Sequence, residues 1–185
     1  GGEIEGSADA QGSLFANMPL AFALILLILV GQFNSLRKPL IIVAVIPLTL
    51  IGVTPALIIM PGANFSFIAT LGLLSLAGII INNAIVLIDR IEIEQNELNR
   101  SPQDAIIMAC LQRFRPILLT TFTTTLGLIP LYLGGGLMWE PMAITIMIGL
   151  LFGTVITLVF IPSMYSLMYK VNFTQYVFNK ELLTE

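Results

Sequence analysis

Two amides and a run of hydroxyls stand inside otherwise apolar sequence, where a polar group needs a reason to be. Ser75, Asn82 and Asp89 recur every seven residues within one hydrophobic stretch, a spacing that keeps them on one helical face. At 1.5 Å per residue Asn82 lies about 10 Å in from Asp89, and Asn83 sets a second amide on an adjacent face. Further along, Thr120, Thr121, Thr123, Thr124 and Thr125 place five hydroxyls in six residues. Arg113, Thr120 and Gly127 share a face if the helix stays regular through Pro116. Such groups admit two readings. Amides within a span can simply join helices, each contributing about 0.6–2 kcal/mol, and threonine can return its hydroxyl to its own helix and stay inert. Alternatively they line a polar route, since polar groups within a span tend to face the bundle interior and mark ion pathways. The second reading selects Asn82, Asn83, Thr120, Thr124 and Arg113 as an ion-coupling site. Arg113 and Arg115 also suit a plainer role as snorkelling interfacial anchors, and Asp89, beside Arg90, suits a solvated helix end.

The elements that position these groups follow from where charge is missing. Four stretches carry none: 10–36, 39–88, 116–139 and 141–169. A helix needs about 20 apolar residues to cross the hydrocarbon, so the second stretch holds two spans and each of the others one. The chain is therefore expected to be an all-α membrane protein, a five-helix transmembrane bundle. Spans are placed near 16–33, 40–60, 66–89, 116–134 and 141–169. Pro61-Gly62-Ala63-Asn64 divides the double stretch with turn chemistry. Threading five spans puts 34–39, 90–115 and 170–185 on one side, and those segments hold all eight basic residues. The other side receives only Glu3, Glu5, Asp9 and Glu140. The positive-inside rule then sets the N-terminus outside and the C-terminus in the cytoplasm.

Composition narrows the classes further. With 57% hydrophobic and 10% charged residues the chain is neither disordered nor a soluble domain by type, and no basic cluster suggests nucleic acid. Histidine is absent, which removes histidine metal sites and imidazole relays, and the lone Cys110 cannot form an intrachain disulfide. The sequence suggests no catalytic residue, no metal and no cofactor. Residues 1–15 read as a polar, acidic segment ending an outer region, and 170–185 as a polar cytoplasmic tail. Ser101-Pro102-Gln103-Asp104 has the pattern of an N-cap, a first-turn proline and a capping acid. It is expected to open a short amphipathic helix over about 102–113, lying along the cytoplasmic face. Gly149 and Gly153 form a GxxxG pair assigned to packing inside the bundle. Trp139 is placed like an interfacial anchor on the outer side, and Tyr165 and Tyr169 lie near the inner interface. The absence of an initiator methionine and of a signal peptide creates the expectation that residues upstream have been removed.

Taken in order, several of these segments resemble the C-terminal membrane half of a resistance–nodulation–division (RND) multidrug efflux transporter. The matching stretches are 13–17 (SLFAN), 32–35 (QFNS), 46–53 (IPLTLIGV), 78–89 (GIIINNAIVLID), 113–127 (RFRPILLTTFTTTLG), 141–145 (PMAIT) and Ile161-Pro162. The resemblance covers nearly the whole chain. It implies the last five helices of a twelve-helix domain in a bacterial inner membrane, part of a proton-driven secondary transporter that exports amphiphilic compounds. It implies as partners the N-terminal half of the same transporter, further copies in a homotrimer, a periplasmic adaptor, an outer-membrane channel and the lipid bilayer. The family's relay joins carboxylates of the first half to a lysine on the third span here and a threonine on the fourth. Thr120 and Arg113 match the family pattern; Asn82 stands where lysine is common. Three outcomes stay open for that change: a relay of carboxylate, amide and threonine, use of another cation, or weak coupling. Two other readings of the whole chain stand beside the transporter half: a membrane scaffold or accessory subunit that binds a partner through its helices, and a self-sufficient small channel. The channel is disfavoured, because no acid except Asp89 lies within a span.

Overall fold

The computed structural model describes residues 2–59, 67–173 and 176. Among them lie five helices: α1 (Gly2–Phe33), α2 (Arg37–Ile59), α3 (Phe67–Asn96), α4 (Pro102–Gly134) and α5 (Gly136–Met168). All five are long and apolar enough to cross a membrane, as the charge-free stretches require. The 61–65 turn and most of the 170–185 tail lie outside the described residues.

The helix boundaries follow local chemistry. The Asp104 amide donates to Ser101 Oγ at 3.2 Å, with Pro102 in the first turn of α4, so the expected cap forms. Between α4 and α5 the chain turns at Gly136, whose φ of +65° suits glycine and strains other residues. Two boundaries differ from expectation. The polar residues before the first span are helical, and α1 begins at Gly2. The amphipathic segment 102–113 is not a separate helix either, because α4 runs unbroken through Pro116 into the membrane span. A proline costs one intrahelical hydrogen bond but need not end a membrane helix whose neighbours absorb the distortion.

The five helices do not share the interior equally. Half of the α5 span is buried, against 11% for α4 and 6% for α1. That asymmetry makes α5 the core, packed against α2, α3 and α4, with α1 leaning on α2 and α3. Two glycines allow it. A Cβ on Gly149 would lie 2.2 Å from Leu76 Cδ2 of α3 and 2.8 Å from Val53 Cγ2 of α2. One on Gly153 would lie 2.6 Å from Ile80 Cδ1 and 3.0 Å from Thr49 Cγ2. The GxxxG pair is therefore a packing device inside the bundle, as its spacing suggests.

The basic end of the bundle is tied by ions instead. Glu94 is fully buried, and its two oxygens pair with Arg90 at 2.6 Å and Arg100 at 2.8 Å. Arg90 Nε also donates to Gln112 of α4 at 2.6 Å, and Lys38 at the start of α2 pairs with Glu92. Tyr165, near the same end, is 2% exposed, stacks on Tyr169 and donates its hydroxyl to Gln95 at 3.2 Å. The last turns of α3 are thereby joined to α2, α4 and α5.

Two stability predictions follow from these contacts. Glu94→Ala strands two arginines and should cost about 3–5 kcal/mol, whereas Glu97→Ala, on an exposed residue, should change stability by less than about 0.5 kcal/mol. Gly149→Val should lower stability by roughly 1–3 kcal/mol through overpacking. Thermal unfolding of the complete purified protein in detergent checks all three.

Candidate functional site

The candidate residues sit on two neighbouring helices whose relative depth the Arg90–Gln112 bond fixes. A short connector joins α3 to α4, so the helices run antiparallel, and residues equally far from that bond lie level. Asn82 is eight residues before Arg90 (90 − 82) and Thr120 eight after Gln112 (120 − 112). Both therefore lie about 12 Å from the basic end of the contact, at 1.5 Å per residue. The structure brings Asn82 and Thr120 to one depth on adjacent helices.

It does not bring them into contact inside the bundle. The polar-route reading turns these groups toward the bundle interior, but Ser75 and Asn82 are exposed and Asp89 is half-buried. The seven-residue face of α3 looks outward because the opposite face, with Leu76, Ile80, Ala84 and Leu87, supplies the core against α5. Asn83 turns inward and is buried, which fits its reading as a packing amide.

On α4 the hydroxyls divide. Thr120 is exposed and donates back to its own helix, to Ile117 O at 2.9 Å and Pro116 O at 3.1 Å. Its proton is thus engaged, and what it presents outward is an acceptor lone pair. Thr123 does the same with Leu119 O at 2.8 Å, while Thr124 is half-buried. Arg113 lies seven residues before Thr120, on the same face of the unbroken helix, and is half-buried. Its Nε is enclosed without a partner among the described residues. The arrangement therefore offers an acceptor and an amide that can do either on surface that the five helices leave open, with a half-buried cation two turns away on α4.

Thr121 points the other way. It is 2% exposed and meets Thr154 of α5 at 2.7 Å, hydroxyl to hydroxyl. Sequence reasoning grouped it with its neighbours, because five threonines in six residues sample every direction around a helix. Only the position of α5 distinguishes the inner from the outer ones. Among the described residues no group of three or more metal-ligating side chains forms.

Comparison with known proteins adds the context. The profile of the AcrB/AcrD/AcrF family matches residues 1–169. Multidrug resistance protein MdtC of Pantoea ananatis (strain AJ13355) is 38% identical over 177 residues, covering 91% of this chain and 17% of the relative. MdtC of Edwardsiella ictaluri (strain 93-146) is 37% identical over 165 residues, 88% of this chain and 16% of the relative. Two crystal forms of a heavy metal efflux pump superpose with TM-scores of 0.78 and 0.77 at 32% and 30% identity, over 92% and 91% of this chain. Each superposition takes in 17% of the pump's chain, so this chain spans a small part of the length of the proteins it matches.

Proposed function

Because this chain belongs to the AcrB/AcrD/AcrF family of resistance–nodulation–division efflux transporters, we propose that it is the C-terminal membrane half of an ion-coupled secondary efflux pump. In this reading the pump sits in a bacterial inner membrane, is driven by protons, and exports amphiphilic compounds. This half is inactive without the other. It joins the N-terminal half of the same transporter in a homotrimer, with a periplasmic adaptor and an outer-membrane channel. Its N-terminus is periplasmic and its C-terminus cytoplasmic, from the one-sided distribution of basic residues.

One observation carries the reading: Asn82 and Thr120 lie level on outward faces of adjacent helices. An amide facing hydrocarbon has no partner for its donors or acceptor, at a cost of several kcal/mol for each unsatisfied group, by order of magnitude. These faces are therefore proposed to abut protein, namely the helix of the N-terminal half that carries the family's carboxylates. Neither Asn nor Thr titrates near neutral pH, so the change of charge lies on those carboxylates. The residues here set how tightly the proton is held. Thr120, with its own proton engaged, accepts a hydrogen bond from a protonated carboxyl. Arg113, as a cation on the same face of α4, favours the ionised form by its charge. Asn82 can serve either state through its NH₂ or its carbonyl oxygen, where a lysine would add a charge that competes with the proton.

Two measurements test the proposal. A cysteine at Asn64, in a complete transporter lacking Cys110, should react with an impermeant reagent from the periplasmic side; labelling from the cytoplasmic side alone would overturn the topology. In the same transporter, at matched expression, Asn82→Leu should abolish or strongly impair efflux of an amphiphilic dye while trimer assembly persists. Thr120→Val should be milder, since it removes one hydroxyl and keeps the shape. Unchanged efflux from Asn82→Leu would make Asn82 a packing residue and move the coupling site elsewhere.

A further inference from the structure

The inner face of α4 carries a second polar line, separate from the outward one and closed by α5. Thr121 and Thr154 face each other at 2.7 Å, both buried. Each is also in reach of its own helix, Thr121 of Ile117 O at 2.9 Å and Thr154 of Leu150 O at 2.7 Å. Two hydroxyls own two protons, yet three hydrogen-bond geometries are in place. One hydroxyl must donate across the seam and the other to its carbonyl, and the two orders are chemically equivalent. The pair can therefore point either way.

Its neighbours behave differently from the other buried threonines. Thr49 and Thr145, like the pair, return their hydroxyls to carbonyls four residues back, Val45 O at 2.9 Å and Pro141 O at 2.6 Å. Thr125 Oγ1 and Thr157 Oγ1 are enclosed and have no partner, and Thr157 is fully buried. Thr125 follows Thr121 by one turn on α4, and Thr157 follows Thr154 by nearly one turn on α5. Because the helices are antiparallel, they flank the pair on opposite sides. Along the helix axes the gaps are about 6 Å and about 4.5 Å, close to the two hydrogen bonds of about 2.8 Å that a single bridging molecule makes.

We propose that the α4/α5 seam is a water-binding site, with one ordered water joining Thr157 to Thr154 and another joining Thr121 to Thr125. Water fits because it can donate to a pair that has no proton left to give while accepting from Thr157 or Thr125, and because it satisfies hydroxyls that the protein leaves open. The result is a continuous hydrogen-bonded file of four hydroxyls and two waters across about 10 Å of bilayer depth. Both waters donate toward the Thr121–Thr154 pair, whose own two protons are spent on the seam and on one carbonyl, so that only the bond across the seam reverses. The site uses only α4 and α5 and does not rest on the transport reading.

The test is a cryo-electron microscopy map of the complete transporter in lipid nanodiscs, at a resolution where ordered internal waters are visible. Density is expected within hydrogen-bond distance of both Thr157 and Thr154, and of both Thr121 and Thr125. Absence of both peaks in a map that resolves other internal waters would overturn the proposal, whatever efflux assays show. In Thr157→Val the peak beside Thr157 should vanish while the one at Thr125 remains, and Thr157→Ser should keep both. A peak that persists unchanged in Thr157→Val would show that the hydroxyl does not hold it, and would also overturn the site. The wild-type map decides even if a variant fails to fold.

Discussion

Lipid tails are as apolar as leucine, so helices in a bilayer gain little from hiding apolar surface against one another and must gain from close packing. Here that packing depends on the missing side chains of Gly149 and Gly153, which admit Leu76 and Ile80 of α3 and Val53 and Thr49 of α2. With α5 fixed between them, α3 has no freedom left. Its Leu76–Ile80–Leu87 face belongs to the core, so Ser75 and Asn82 must look away. The same contact surface turns Thr121 inward and leaves Thr120 outside. The placement of every candidate residue is thus downstream of two hydrogen atoms where methyl groups would otherwise stand.

The sequence makes the helices legible because a membrane imposes length and forbids charge, and 116–139 or 141–169 can be read directly on those terms. The Ser101 cap and the glycine pair are legible for a similar reason, since each is a local pattern with one mechanical use. The direction of a face is another matter. Spacing relates Asn82 to Ser75 and Asp89, and Arg113 to Thr120, but gives angles only within one helix. Nothing within α3 says whether its polar face looks inward, and the interior was the natural expectation for a chain read alone. Pro116 misleads for the opposite reason: its cost to a helix is local, while the support that carries α4 through it comes from neighbours far away in sequence. Glu94, among several acids at the end of α3, has no local mark of burial.

The helix α4 emerges as polar on two sides for different ends. Outside, Thr120 and Arg113 are held on a continuous helix and confront surface that the five helices do not cover. Inside, Thr121 meets Thr154 of α5, and Thr125 is enclosed one turn further along. A helix so arranged is a poor structural strut, being only 11% buried along its span, but it is well placed to feel changes on either side.

The ion cluster around Glu94 bears on the order in which the chain is assembled. Arg90 precedes Glu94 by four residues and Arg100 follows it by six, whereas Lys38 and Glu92 are separated by 54 residues and Tyr165 and Gln95 by 70. Loop closure costs more as the loop grows, so the cluster around Glu94 closes first. During synthesis from the N-terminus it can form once Arg100 has left the ribosome, before α4 or α5 exists. The carboxylate is neutralised before there is a protein interior to bury it, and the later helices arrive at a site whose charge is already settled.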